Sequence, residues 1–167
     1  YLSLPLVAVT AFIMGLVLTI QSRPTLESFG AETMLPAMVS ISIVREIGPV
    51  ITALICAGRI GSSMGAELGS MKVTEQIDAM EVSGTNPFKY LVVTRVWSTT
   101  LMLPLLVVIA DAIAIFACFI GVNIKGSVSW SLFQQQVFDS LVFSDLLPAL
   151  TKSIFFGLAI GVVGCYK

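Results

Sequence analysis

Histidine is absent from the 167 residues, and charge is scarce, with Lys, Arg, Asp and Glu making up only 11% of the chain. The missing imidazole removes the commonest metal ligand and the side chain that most often serves as general base at neutral pH, so neither a metal site nor a catalytic residue is expected. Soluble domains carry about 25% charged residues, so the shortage of charge excludes an ordinary water-soluble domain. A formal net charge of −1 with no basic stripe gives nucleic acid nothing to bind. Cysteine is limited to Cys56, Cys118 and Cys165, an odd number, widely spaced in apolar stretches, which read as small buried hydrophobes and give no sign of a disulfide framework. No phosphate-binding loop is present. "GRIGSSMG" lacks the Gly-Lys-Ser/Thr ending of a Walker A motif, so no cofactor is expected on this chain and any ATP belongs to a partner. Leu2–Ile20 has neither a basic leader nor a small-residue cleavage site, so it does not read as a signal peptide.

What the chain has is apolar length. It is 56% hydrophobic, with a mean hydropathy of +0.97. Four segments, about 2–20, 35–57, 101–122 and 146–164, approach or exceed the roughly 20 residues that cross about 30 Å of hydrocarbon. The fold class is therefore all-α, a polytopic membrane protein forming one transmembrane domain over 1–167. The first segment, with Pro5 near its start and a semi-apolar loop after it, reads as a full span or as a re-entrant or tilted element. Arg59, Lys72 and Lys89 in the 58–90 connection, Arg95 just beyond it and Lys167 at the end outnumber Arg23 and Lys125 in the other connections. The positive-inside rule then puts the 58–90 connection and the C-terminus in the cytoplasm, and 21–34 and 123–145 outside. Because apolar runs sit at both chain ends, the sequence reads as a fragment.

The central connection is patterned. Apolar Ile60, Met64, Leu68, Met71, Ile77 and Met80 recur at helical spacing, while Glu75, Asp78 and Glu81 share one helix face. Gly84 and Asn86-Pro87 end the pattern. A short amphipathic helix there suits docking of a soluble partner and equally suits lying on the membrane surface. On the other side, Ser129–Leu147 reads as an interfacial helix or as the start of the fourth span, with Trp130 at headgroup level.

"SIVREIGPV", residues 42–50, places Arg45 and Glu46 side by side in a segment otherwise free of charge. At bilayer depth a charge costs about 2.5–3.5 kcal/mol and is usually paired or turned towards water. Adjacent helical residues point about 100° apart, so at least one must face protein or an aqueous cavity. Pro49 cannot donate to the carbonyl of residue 45, so a kink is expected there, with Asp111 as a potential partner for Arg45. Broken helices carrying charge are a common way to build transport sites; the alternative is an ion pair that locks two helices together. Gly61, Gly65 and Gly69 have the spacing of a close helix-packing face. Asp111 reads as a packing partner rather than a proton relay, and Lys152 as a residue that snorkels to the interface.

The run from Arg45 to Val96 strongly resembles the MlaE family of ABC-transporter permeases. The resemblance is carried by Arg45-Glu46-x-Gly48-Pro49, Ala57-Gly58-Arg59-x-Gly61-Ser62, Ala66-Glu67-x-Gly69-x-Met71 and Thr74-Glu75-Gln76-x-x-x-Met80-Glu81, followed by Pro87, and it extends over nearly the whole chain. It implies a multi-pass inner-membrane subunit that moves phospholipid between the inner and outer membranes and maintains outer-membrane lipid asymmetry. It also implies that the helix near Lys72–Ser83 is a coupling helix seated in an ATPase, with Lys72, Thr74, Glu75, Gln76, Asp78, Met80 and Glu81 as contacts. A lipid pocket near a homodimer interface would involve Leu18, Thr25, Leu26 and Phe29, beside Arg45 and Glu46. The implied partners are a second copy, a cytoplasmic ABC ATPase holding ATP and Mg, a periplasmic MCE-domain lipid-binding subunit and a small STAS-type cytoplasmic subunit. Family members have a further N-terminal interfacial helix and a further C-terminal membrane helix, so the expectation is a fragment of a five-helix permease. Two rival functions follow from the residues alone: an ion- or proton-coupled secondary transporter using Asp111 and Glu46, or a membrane scaffold that transports nothing.

Overall fold

The computed structural model describes residues 3–124 and 128–166. Among them the regular structure is entirely helical: α1 (Ser3–Ser28), α2 (Glu32–Val73), α3 (Gln76–Val82), α4 (Phe88–Asn123), α5 (Trp130–Ser140) and α6 (Phe143–Gly164). The four long helices, α1, α2, α4 and α6, are each long and apolar enough to cross a membrane. The chain is thus a multi-pass membrane protein.

α4 is the hub, and α1 and α6 pack most extensively against it. Its inward stripe, Leu103, Val107, Ala110, Ala114 and Ala117, recurs every three or four residues and is buried, whereas Leu101, Leu105, Val108 and Phe116 on its other faces are exposed. A helix with apolar side chains both inside and outside suits a lipid surround rather than water. Glycines set how closely its neighbours approach. A methyl group added at Gly15 of α1 would lie 2.2 Å from the Ala114 carbonyl oxygen, and one at Gly157 of α6 would lie 2.9 Å from the Thr99 carbonyl oxygen.

The helices run past the hydrocarbon. α2 has 42 residues, about 63 Å at 1.5 Å per residue, twice a bilayer core of about 30 Å. α6, with 22 residues, is about 33 Å long and serves as a ruler. Its last residue, Gly164, lies against Gly61 and Met64 of α2, so the end of α2 beyond Met64 projects past the hydrocarbon and carries α3.

Several expectations change. The re-entrant option for the first segment is not taken, because α1 is one continuous helix of 26 residues with Pro24 inside it. Next to the kink expected at Pro49, Ile43–Ile47 form a π turn, in which the Gly48 N–H reaches back to the Ile43 carbonyl and the helix continues. Such turns absorb a residue that cannot keep the α-helical bonding register. The Ser129–Leu147 stretch divides: α5 ends at Ser140, and an extended Leu141-Val142 link leads into α6. Leu2, Lys125 and Lys167, used in the span and sidedness readings, lie outside the described residues.

Candidate functional site

The end of α1 and the beginning of α2 form the two walls of a groove of about 410 Å³, within the range of small-molecule sites. Leu18, Thr25 and Leu26 lie along it. With them are Gln21 and Ser22 of α1 and Met38, Val39, Ser42 and Ile47 of α2, which the sequence reading missed. The signal for finding them was helical spacing, since 18, 22 and 25 fall on one face of α1 and 38 and 42 on one face of α2. The lining is apolar side chains with a few uncharged hydroxyl and amide groups. Phe29, 80% exposed in the turn after α1, is not in the wall.

Arg45 and Glu46 turn away from the groove towards α6. The Arg45 guanidinium donates to Asp145 Oδ1 at 2.5 Å, and Lys152 Nζ donates to Glu46 Oε1 at 2.7 Å. Lys152 also donates to the Arg45 carbonyl at 3.3 Å. That carbonyl is the one Pro49, lacking an N–H, leaves free in α-helical register, so Lys152 satisfies the helix where proline cannot. It does so instead of snorkelling outward. Asp145 is 4% exposed, and its second oxygen accepts the Val142 N–H at 3.3 Å, which fixes the carboxylate at the first turn of α6. This placement also moves the charged pair. Asp145 is near the start of α6, so Arg45 lies within about two turns of that membrane boundary rather than at mid-depth, where burial of charge is costliest.

Asp111 does not partner Arg45. It is 6% exposed, and its Oδ1 has no hydrogen-bond partner among the described residues. It packs instead against the backbone of Gly48, where an added methyl group would come 1.9 Å from Oδ1.

At the opposite end, α2 finishes at Val73, and Glu75 takes a left-handed φ of 58° before α3 begins. Lys72, Thr74, Glu75, Gln76, Asp78 and Glu81 are exposed, while Ile77 and Met80 are half-buried. The acidic and apolar faces read from the sequence are therefore the outer and inner faces of this segment. Arg95 Nη1 and Glu67 Oε2, 2.6 Å apart, tie the projecting part of α2 to the start of α4. Among the described residues, nothing lies within 4 Å of a Cβ placed at Gly61, Gly65 or Gly69.

A family model described as Permease MlaE matches residues 1–167. The chain is 39% identical over 165 residues to a probable ABC transporter permease protein of Rickettsia typhi, covering 99% of this chain and 64% of that protein. It is 37% identical over 169 residues to the intermembrane phospholipid transport system permease protein MlaE of Haemophilus influenzae, again covering 99% of this chain and 64% of the relative. A probable ABC transporter permease protein of Pyropia yezoensis is 40% identical over 167 residues, covering 98% of this chain and 62% of that protein. The chain spans less than two thirds of the length of these relatives.

Proposed function

This chain belongs to the MlaE permease family, and on that premise we propose that it is the membrane part of an ABC transporter that moves phospholipid through the groove between α1 and α2. The observation that carries the reading is the groove itself. It is roomy, mostly apolar, lined by hydroxyl and amide groups rather than charges, and set where α1 and α2 near a membrane boundary. Such a lining suits acyl chains and a glycerol backbone. The Haemophilus influenzae relative is named for phospholipid transport, which agrees with it. ATP hydrolysis falls to a separate subunit seated on the exposed outer face of α3.

In this reading the four charges are positioning groups. The π turn has one side on the groove, through Ile47 and the preceding Ser42, and the other tied to α6 through the Arg45–Asp145 and Glu46–Lys152 pairs. A shift of α6 against α2 therefore moves the groove wall. The ATPase would drive that shift through α3 and the projecting end of α2, in a homodimer facing a periplasmic lipid-binding partner from the inner membrane.

The test uses the assembled transporter in vesicles. Thr25→Trp fills the groove without touching a charged pair and should reduce ATP-dependent phospholipid transfer at least tenfold, about the loss expected from blocking a built site, while the ATPase still assembles. Undiminished transfer by this variant would refute the reading. A proton-gradient requirement without ATP would favour the secondary-transporter alternative.

A further inference from the structure

A second groove, of about 640 Å³, opens at the α3 end of the bundle. Leu68 of α2, Ile77 of α3 and Phe88, Leu91 and Val92 of α4 supply its apolar walls, and Lys72 is the one charged residue in its lining. Counting from Ile47 to Gly65 along α2, it lies about 27 Å from the α1–α2 groove, so the two are separate sites. Its depth is fixed by the end of α6: Gly164 and Cys165 line the groove, and Gly164 closes the 22-residue helix whose length matches the bilayer. The groove thus sits where hydrocarbon gives way to headgroups.

Two more observations bear on what fills it. An adjoining groove of about 480 Å³ meets it at Gly65 and Gly164 and continues along Gly61, Ala57 and Ile160 into hydrocarbon depth. Among the described residues nothing lies within 4 Å of the Cβ positions of the glycines at 61, 65 and 69, so their missing side chains leave a smooth apolar lane. At the headgroup end, Lys72 has no carboxylate partner among the described residues.

We propose that this end of the protein is a second lipid site, taking an anionic glycerophospholipid of the adjoining leaflet with its phosphate on Lys72 and an acyl chain in the glycine lane. The charge complementarity is specific to an amphiphile: one cation at headgroup level above an uncharged channel. Ile77 forms part of the same wall, so the bound lipid also steadies α3, the element that carries the ATPase-facing surface. Neither the substrate groove nor its transport step is needed for this binding.

The test places the photo-crosslinker benzoylphenylalanine at Phe88, an exposed aromatic in the groove wall, in the intact transporter. The protein is reconstituted into vesicles of equal phosphatidylglycerol and phosphatidylcholine, and the crosslinked species are identified by mass. Phosphatidylglycerol should be captured about fivefold more than phosphatidylcholine, the bias one lysine at headgroup level provides. Lys72→Arg should keep that ratio, and Lys72→Glu should bring it to one or below. Equal capture of the two lipids by the transporter with Lys72 intact would overturn the proposal. So would capture of peptide, whether from a second copy, another subunit or a further segment of this chain. Because the readout is local to Phe88, it stands whether or not the α1–α2 groove carries substrate.

Discussion

Two sets of glycines recur in this chain, and they do opposite things. Gly15, Gly48, Gly157 and Gly161 sit where helices touch, with a methyl group at each coming within 3 Å of a neighbour. Gly58, Gly61, Gly65 and Gly69 have the more regular spacing, yet a methyl group at any of them meets nothing within 4 Å. Spacing alone reports which residues share a face and not what covers it. The irregular set is packed because α4 needs α1, α2 and α6 against it at close range. The regular set runs along one face of α2, from beside the end of α6 outward, where no described residue lies within 4 Å of the Cβ positions.

The largest effect expected from this contrast is at Gly15. Gly15→Leu drives a side chain into the backbone of α4, where Ala114 cannot move aside, and should lower stability on the order of 3 kcal/mol, read as loss of folded protein in a thermal unfolding assay. Gly65→Ala, from the regular set, should leave stability unchanged or raise it by up to about 1 kcal/mol through helix propensity. A loss at Gly65 as large as at Gly15 would show that both glycines are packed. Asp111→Asn tests the contact at Gly48 from the neighbouring side chain. The amide keeps the shape that packs on Gly48 and removes the need for a counter-charge, so stability should change by less than about 1 kcal/mol and transport should persist. Loss of transport with folding intact would instead make Asp111 a proton carrier. Glu75→Gly frees a left-handed backbone position and should stabilise the folded chain by roughly 1 kcal/mol, measured by the same unfolding assay.

The sequence carried the bundle well and its edges poorly. Segments 35–57, 101–122 and 146–164 all fall inside α2, α4 and α6, because apolar length is the physical requirement for crossing hydrocarbon. Apolar length does not mark where the helices end. Backbone hydrogen bonding continues a helix into polar surroundings, so α2 runs to Val73 and α4 starts at Phe88, well beyond their apolar cores. The half-buried Ile77 and Met80, against exposed Glu75, Asp78 and Glu81, were legible from period alone. The groove was not: Leu18, Thr25 and Leu26 came from the resemblance, and Gln21, Ser22 and Ser42 carry no local mark that separates them from other small polar residues in a membrane helix. The partners of Arg45 and Glu46 lie about a hundred positions away. One rule would have found them: charges inside one span require compensation, and Asp145 and Lys152 are the opposite charges at the start of the fourth span and within it.

In the proposed mechanism Glu46 and Lys152 hold the groove wall against α6 rather than touching the lipid. Transport should be measured with Glu46→Lys, Lys152→Glu and the exchanged pair together. Each single reversal should reduce phospholipid transfer at least tenfold, the factor carried by about 1.4 kcal/mol of coupling. The exchange should recover most of that loss, though not all, because a glutamate at 152 cannot donate to the Arg45 carbonyl. An exchanged pair no better than the single reversals would contradict the claim and make Glu46 a direct contact of the transported molecule.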